Sequence, residues 1–539
     1  MSGSITLENR FGVNKMELIS LKYAIFVIVL LVLYYCFPKK YRWYVLLAGS
    51  MAYYVIICKW YVLFIIFTIC TTYGSTIWID KLLKKQNAIV KSHKEDWDRQ
   101  TRKEYKEKGR KKRVAVMLFA LLCNFGILAF LKYIPYAGEL GLLLPLGISF
   151  YTFQSMGYVM DVYREIVEPE KNFLKVALFV SFFPQIIQGP IAIYDKLAGQ
   201  LYEGHSLRLE SLQKGALLVL WGVIKKLVIA DRAVNIINFV MDKPMDFSGT
   251  YVFFAAVVYA LQLYADFSGG IDIVRGIAEM FGITMSTNFN HPYFSRSLTE
   301  YWHRWHMTLG DWCRNYIFYP LSISKRFLNF GKWLKPRFGA HISKVLPGCI
   351  ASVITFIVIG VWHGANMKYL YFGLWNGIVI MLAELFAPVN KKVAGGFFKL
   401  TGLREKGIFA TIVSVLWTFM LILVGYYFDI AANASTAFHM LFKSVTDFHI
   451  SELGINNIIL NLGACGLDEY DILLLIICTL LWFFISFVEE NKKLDMRDFI
   501  LSRKLPLRWA IIYLGIFIVI IFGYYGPGVN PADFVYMQF

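Results

Sequence analysis

Of 539 residues, 57% are hydrophobic, 17% are aromatic and only 17% carry charge, whereas an ordinary soluble domain has about 25% charged residues. This balance excludes a soluble globular enzyme and predicts a bilayer as the solvent, because apolar stretches near the roughly 20 residues of a spanning helix recur along the chain. The net charge of +18 does not indicate a nucleic-acid partner, since one segment carries half of it.

The first apolar run, at residues 17–36, is predicted to remain as a membrane helix. It lacks a small-residue cleavage site and leads into Lys39, Lys40 and Arg42, so it does not have the form of a cleavable signal peptide. Together with the later runs it predicts an all-α polytopic membrane protein. Further candidate spans follow at residues 43–58, 60–79, 114–134, 212–231, 249–265, 346–362, 369–388, 407–428, 470–488 and 508–525.

A strongly basic segment, residues 81–113, lies between two of the early spans. It holds 14 Lys and Arg against 5 Asp and Glu. We interpret it as a basic cytosolic loop, because cytosolic loops carry an excess of Lys and Arg. The alternative to a specific ligand site is a solvated helix whose charges face water and anionic headgroups. If residues 37–42 are cytosolic as well, the N-terminus lies outside.

Two apolar segments contain proline. Residues 141–160 include Pro145, and residues 173–190 include Pro184. A broken helix at membrane depth is tolerated only where protein or a wet cavity surrounds it. We therefore predict broken or re-entrant segments that line a cavity.

The segment at residues 288–321 is unusually rich in tryptophan and tyrosine. Trp302 and Trp305 suit a cavity wall or a membrane interface, where an apolar ring needs a wet edge. Thr299 is the predicted cap of a helix that Pro320 ends or kinks.

On such a helix His303 and His306 lie three residues apart and share one face. A metal site needs at least one more ligand, and nothing nearby has the spacing. We therefore expect no metal. His306 also begins an H-x-x-x-x-D string that ends at Asp311, a weak pattern on its own.

The signatures of soluble enzymes, such as a phosphate loop, a zinc helix or a nucleophile elbow, are missing. An ionisable group at membrane depth is energetically costly and therefore indicates a function. The candidate site residues on this ground are Asp266, His306 and His363. His363 ends an apolar run that carries no charge from Val345 onward. Desolvation would keep its imidazole neutral, as a general base requires; the alternative is a histidine bonded to a backbone carbonyl.

Asp266 lies in a polar string that also contains Asp272, and Arg275 follows within three residues of Asp272. A structural ion pair that orients the helix turn is one interpretation, and a substrate role is the other. Lys225 and Lys226, together with residues 81–113, suggest a cytosolic basic mouth that attracts a nucleotide or a carrier. Lysines that merely extend to the interface are the alternative.

The chain resembles the membrane-bound O-acyltransferase family, specifically its alginate O-acetyltransferase-like bacterial branch. The strings that carry the resemblance lie in order within about residues 115–380, the expected core. They are LPLGISFYTFQ (144–154), FFPQIIQGPI (182–191), WGVIKKLVIADR (221–232), ADFSGGIDI (265–273), NFNHPYFSRSLTEYWHRWHMTL (288–309) and VWHGAN (361–366).

The resemblance implies a bundle of about 11 to 13 helices with broken or re-entrant segments around a central funnel. Residues 400–539 would add C-terminal membrane helices. Carried over by position, His363 matches the family's catalytic histidine and His306 its second histidine. Asn366 or tryptophan indoles are candidate donors to an oxyanion. The expected substrate-binding residues are Trp302, Trp305, Asn366, Asp266, Arg314, Gln188, Lys225 and Lys226.

The chain departs from the family at three positions. Family members commonly have Arg or Lys in place of His303, an uncharged residue in place of Asp311, and an Asp in place of Asn315. The shifted acid would preserve a carboxylate near Arg314.

The implied activity is an O-acyltransferase of the bacterial cell membrane. It would move an acetyl or similar short acyl group from a cytosolic thioester donor, acetyl coenzyme A or a carrier thioester, with no bound cofactor. The acceptor would be an extracytoplasmic polysaccharide or a secreted or membrane-anchored acetyltransferase partner. The alternatives are D-alanyl transfer to teichoic acid and, in another class, a glycan, lipid or ion transporter. Intramembrane charges also mark permeation paths.

Overall fold

A computed structural model describes residues 16–135, 138, 140–142, 144–401, 404, 407–454, 457, 463–526 and 534. Within these ranges the regular elements are all helical, and seven helical segments are long and apolar enough to cross a membrane, or eight with one pair bent by 67°. The predicted all-α polytopic membrane fold is confirmed. The expected C-terminal region, residues 400–539, is only partly within the described ranges.

The chain forms two compact units. The first contains the described residues up to Val219 together with Ile271–Ser286, and the second contains Leu220–Gly270 and the described residues from Thr287 onward. The helices that begin in the first unit are α1 Leu21–Cys36, α2 Arg42–Cys58, α3 Val62–Ser92, α4 Arg99–Tyr133, α5 Ile148–Tyr163, α6 Phe173–Ser181, α7 Phe183–Gln188, α8 Tyr194–Tyr202 and α9 Leu209–Val223.

A π-helical turn, Ile224–Ala230, continues α9 directly into the helices of the second unit. A second π-helical turn, Arg314–Phe318, lies within the tryptophan-rich segment. The remaining helices are α10 Asp231–Met241, α11 Gly249–Met280, α12 Leu298–Arg304, α13 Met307–Cys313, α14 Tyr319–Ser322, α15 Lys325–His363, α16 Met367–Leu385, α17 Ala387–Thr401, α18 Ile408–Ile430, α19 Ala434–Thr446, α20 Glu469–Lys492, α21 Met496–Leu501 and α22 Leu505–Phe522.

The basic segment at residues 81–113 is a helical hairpin, which agrees with the solvated-helix alternative, and its cytosolic position stays a prediction. Helix α3 continues to Ser92, and α4 begins at Arg99 after the cap Asp98, whose side chain accepts a hydrogen bond from the backbone N–H of Thr101 at 2.9 Å. Lys, Arg, Glu and Gln are good helix formers, so the charged sequence extends both helices beyond their apolar parts.

The two proline-containing segments lie in the first unit. A break at Phe182 separates α6 from α7, and Pro184 occupies the first turn of α7, where its missing N–H costs nothing. Pro145, in contrast, precedes α5 instead of interrupting it. Gly147 begins α5 with φ of 70°, and a Cβ there would lie 2.2 Å from the carbonyl oxygen of Ile186, so this turn requires glycine.

The tryptophan-rich segment differs from the single helix expected between Thr299 and Pro320. Its first helix is capped by Ser297, whose Oγ accepts a hydrogen bond from the backbone N–H of Glu300 at 3.1 Å. The chain then leaves the helical conformation at Trp305 and His306, which separate α12 from α13. Pro320 lies in the first turn of α14, so it does not end the preceding helix as predicted.

Helix α11 also exceeds its predicted span of 249–265. It continues without a break to Met280, so Asp266 lies in the interior of a helix and not at the end of one. A carboxylate there is fully buried and needs a compensating cation.

Candidate active site

Two histidines from separate segments of the second unit line one cavity of about 30 Å³. His363 is the last residue of α15, and His306 lies between α12 and α13. The volume suffices for a water-sized group. The cavity is lined mainly by aromatic and aliphatic side chains. The other lining residues are Leu263, Tyr301, Trp302, Trp305, Leu309, Phe372, Asn376, Ile422, Tyr426 and Asp429.

His306 is held by both its backbone and its ring. Its φ of 44° is in the left-handed region, and the residue is only 1% exposed. Its Nδ1 lies 3.2 Å from Oδ1 of Asn288, and the ring meets Phe267 edge to face with centroids 4.9 Å apart.

Asn288 determines which ring nitrogen of His306 carries the proton. Its Oδ1 also accepts hydrogen bonds from the backbone N–H and the hydroxyl of Thr308, at 3.1 and 2.9 Å. Because a backbone N–H can only donate, the amide atom in this position is the oxygen. A neutral His306 therefore donates from Nδ1 and keeps its lone pair on Nε2.

His363 is positioned by the close packing of α15 against α16. A Cβ at Gly360 would lie 2.2 Å from the carbonyl oxygen of Tyr369, and one at Gly373 would lie 2.4 Å from that of Phe356. Small residues at both positions let the two backbones approach. The imidazole then stacks on Tyr369, with centroids 6.0 Å apart.

The two predicted tryptophans line the cavity with their rings. The indole Nε1 of Trp302 donates to Oδ1 of Asn376 at 3.0 Å, so this donor is already committed to a protein acceptor. Trp305 is buried and stacks on Tyr301, with centroids 5.7 Å apart. Their rings therefore shape a mainly apolar cavity, and an oxyanion role for the indole groups stays a prediction.

Asn366 has a structural role in this fold, and its role as an oxyanion donor stays a prediction. It caps α16: its Oδ1 accepts from the backbone N–H of Lys368 at 3.1 Å, while its Nδ2 donates to the carbonyl of Ala432 at 3.3 Å. It is not among the residues that line the cavity. A polar residue just before an apolar helix is a common cap, and that explains its position.

Arg314 also lies outside the residues that line the cavity. It forms an ion pair with Asp311 at 3.0 Å, which confirms the expected carboxylate, and its Nη2 lies 2.9 Å from Nδ1 of His303. The left-handed turn at His306 removes the common helix face predicted for the two histidines. His303 is exposed and takes no part in the cavity.

The paired lysines do not form an accessible basic mouth. Lys225 and Lys226 are 4% and 3% exposed. Lys225 Nζ donates to the hydroxyl of Ser268 at 2.9 Å. Lys226 Nζ lies 2.7 Å from Oδ1 of Asp266 and 2.8 Å from Oδ1 of Asp231. Two buried carboxylates thus share one buried ammonium group.

The ion pair predicted to orient this helix turn forms between Asp272 and Arg275, which lie 3.6 Å apart. Asp266 itself pairs with Lys226. Gln188, another predicted substrate-binding residue, is fully buried in the first unit. It is not among the cavity-lining residues, and its side-chain amide makes no hydrogen bond within the described ranges.

Asp429 is a cavity-lining residue that sequence reasoning missed. Its Oδ2 accepts a hydrogen bond from the hydroxyl of Tyr259 at 2.7 Å. Lys368 Nζ donates to the backbone carbonyls of Asp429 and Ala431, both at 2.7 Å. Its position directly after the apolar run 407–428 could have indicated a functional acid. It was missed because no motif in the C-terminal third distinguishes it from other acidic residues.

Residues 169–335 match the model of the membrane-bound O-acyltransferase family. The "Probable alginate O-acetylase" of Pseudomonas fluorescens is 31% identical over 320 residues, 59% of this chain and 57% of the relative. The peptidoglycan O-acetyltransferase of Helicobacter pylori is 29% identical over 314 residues, 51% of this chain and 56% of the relative. The teichoic acid D-alanyltransferase of Bacillus subtilis is 26% identical over 288 residues, 52% of this chain and 67% of the relative.

This chain spans little more than half the length of the first two of these relatives. The matched family segment includes His306 but ends before His363. The relatives are bacterial, and together with the seven candidate spans they confirm a multi-pass bacterial membrane protein.

Proposed function

We propose that this chain, whose residues 169–335 match the model of the membrane-bound O-acyltransferase family, is an O-acyltransferase that moves an acetyl or similar short acyl group. The donor is a cytosolic thioester. The acceptor is a hydroxyl of an extracytoplasmic polysaccharide or of a partner acetyltransferase. One observation carries the proposal: His306 and His363, from separate segments, line the same cavity.

The proposed reaction is a direct transfer without a covalent enzyme intermediate. An imidazole nitrogen of His363 accepts the proton of the acceptor hydroxyl while the hydroxyl oxygen attacks the thioester carbonyl carbon. The C–S bond then breaks, and the leaving thiolate takes up the proton that His363 had accepted, which regenerates the base. Because a thioester is already activated, the site needs a base, correct positioning and exclusion of water.

His306 has a different role in this proposal. Its Nδ1 proton is committed to Asn288, so a neutral His306 offers a lone pair at Nε2 and cannot polarise a carbonyl by donating to it. We assign it the positioning of a substrate N–H or O–H group, which would hold the reacting atoms in place.

The cavity volume of about 30 Å³ is smaller than an acyl donor, so substrate entry requires lining side chains to move. The aromatic lining then closes around the reacting groups and limits hydrolysis of the thioester.

The test is transfer of labelled acetyl across proteoliposomes. Acetyl coenzyme A is offered on the cytosolic side, a polysaccharide or partner acceptor is trapped on the other, and label in the acceptor is counted. We expect transfer by the wild type. Lack of transfer to every acceptor, with acetyl coenzyme A and with a carrier-bound acyl thioester, would contradict the proposal.

D-alanyl transfer is the second candidate. Of the three relatives named above, the D-alanyltransferase is the one of which the chain covers the largest share, 67%. Transfer of labelled alanine from a carrier thioester, with none from acetyl coenzyme A, would favour it.

Asp429 gives a further prediction for the same cavity. Replacing it with Asn should lower kcat at least about 10-fold, because the change removes a negative charge beside the histidines while keeping the side-chain size. The KM for the thioester should change less than kcat, since the effect is on the transition state.

The matched control is Asp242→Asn, an exposed acid of the same unit, which should keep wild-type kinetics. Tyr259→Phe tests whether the carboxylate depends on its hydrogen-bond donor. An Asp429→Asn protein with unchanged kcat would remove Asp429 from the site.

A further inference from the structure

A cleft of about 680 Å³ lies in the first unit, beside the helical hairpin of α3 and α4. Its volume is in the range of small-molecule sites. Six basic side chains of α4 line it, and apart from the adjacent Arg102 and Lys103 they follow one another at three or four residues, which places them toward one side of the helix. They are Arg99, Arg102, Lys103, Lys106, Arg110 and Arg113.

The acidic side chains of the cleft do not neutralise this charge. Glu107 pairs with Arg110 at 2.5 Å, and Glu165 lies 4.0 Å from Arg113. Six cations against these two carboxylates leave an excess of four positive charges. Within the described ranges, Lys103 and Lys106 form no ion pair. The cleft is therefore an open, positively charged surface that attracts anions.

Arg113 distinguishes the cleft from an ordinary solvated basic helix. The residue is only 8% exposed. Its Nη1 donates to Oε1 of Gln86 on α3, but its buried Nε has no hydrogen-bond acceptor within the described ranges. A buried guanidinium donor is costly to leave unsatisfied, and an anionic oxygen in the cleft would supply an acceptor.

The wall that holds Arg113 is also built by close packing. Gln86 is 5% exposed, and a Cβ at Gly109 would lie 2.6 Å from its Cδ. A side chain at residue 109 would therefore displace the Gln86 amide that binds Arg113. A bias of positive charge toward the cytosol explains exposed lysines, but it requires neither a buried guanidinium nor this packing.

We infer that this cleft is a binding site for a phosphate-bearing anion with at least two negative charges. Arginine forks and lysine ammonium groups are the side chains that bind phosphate oxygens most effectively. The phosphates can come from a soluble nucleotide or from the headgroup of an anionic lipid. The inference does not depend on the proposed acyl transfer, because binding of the anion to this cleft is tested without any transfer reaction.

The test compares two double variants of the full-length protein in neutral detergent. Lys103→Gln with Lys106→Gln removes two cleft charges. Lys108→Gln with Lys111→Gln removes two exposed charges of the same helix that do not line the cleft. Binding is measured by titration calorimetry with ADP and with pyrophosphate, and separately as retention on phosphatidylglycerol nanodiscs relative to phosphatidylcholine nanodiscs.

The cleft variant should bind at least about 10-fold more weakly, whereas the control pair should stay within about 2-fold of wild type. Wild-type affinity should fall as salt rises. Loss confined to ADP and pyrophosphate assigns a soluble nucleotide, and loss confined to the anionic nanodiscs assigns a lipid headgroup. Equal effects of the two double variants in both arms, or no wild-type binding in either, would overturn the inference.

Discussion

Replacing His363 with alanine is expected to lower the rate of acyl transfer by at least about 100-fold while the protein remains folded. In the proposed reaction, His363 is the group that accepts the proton of the acceptor hydroxyl. Its position at the end of α15, where glycines hold that helix close to α16, leaves the imidazole among aromatic rings of the cavity. Without the imidazole, no equivalent base at that position can take the proton.

The measurement is label transfer in proteoliposomes, with kcat and KM determined separately. His439→Ala is a matched control, because His439 is an exposed histidine of the same unit, and it should transfer at the wild-type rate. His306→Gln should lower kcat as well if His306 positions the reacting atoms. A higher KM for the thioester with unchanged kcat would mean that His306 only binds the donor. Wild-type transfer by a folded His363→Ala protein would refute the base assignment.

Replacing Lys226 with methionine is expected to destabilise the protein by about 3–5 kcal/mol, the usual effect of removing one partner from a buried ion pair. The change leaves Asp231 and Asp266 buried without the ammonium group that lies 2.8 and 2.7 Å from them. Methionine keeps much of the side-chain volume, so the effect reports charge more than packing.

Thermal unfolding in detergent measures this effect. Lys243→Met, at an exposed position of the same unit, should leave the transition unchanged. The double variant Lys226→Met with Asp266→Asn should recover part of the loss, because one of the two buried carboxylates is then removed. A Lys226→Met protein that unfolds at the wild-type temperature would show that the buried network contributes little to stability.

Hydrophobic runs predicted the membrane fold well, because a spanning helix must satisfy its own backbone and present about 20 apolar residues. The runs at 407–428 and 470–488 coincide closely with Ile408–Ile430 and Glu469–Lys492. Charged segments were harder. Residues 81–113 have a loop-like composition but good helix propensity, and only the structure shows that they extend α3 and α4.

Side-chain environments depend on partners distant in sequence, and these could not be predicted. Lys225 and Lys226 follow an apolar run, as lysines at a membrane interface do. Lys226 is nevertheless buried and pairs with Asp231 and Asp266. The turn at His306 depends on Asn288, whose amide binds two groups of Thr308. The local sequence pattern does not predict this contact, because Asn288 and His306 are 18 residues apart.

The backbone at His306 has a consequence for how selection acts on this position. A residue other than glycine with φ of 44° costs about 1–2 kcal/mol. His291, in the same segment, has φ of 45°. Glycine would relieve this cost at either position, so a lineage under pressure for robustness alone would drift toward it. Histidine at residue 306 thus carries a stability cost that glycine would not, and variants selected for heat resistance should lose turnover there first.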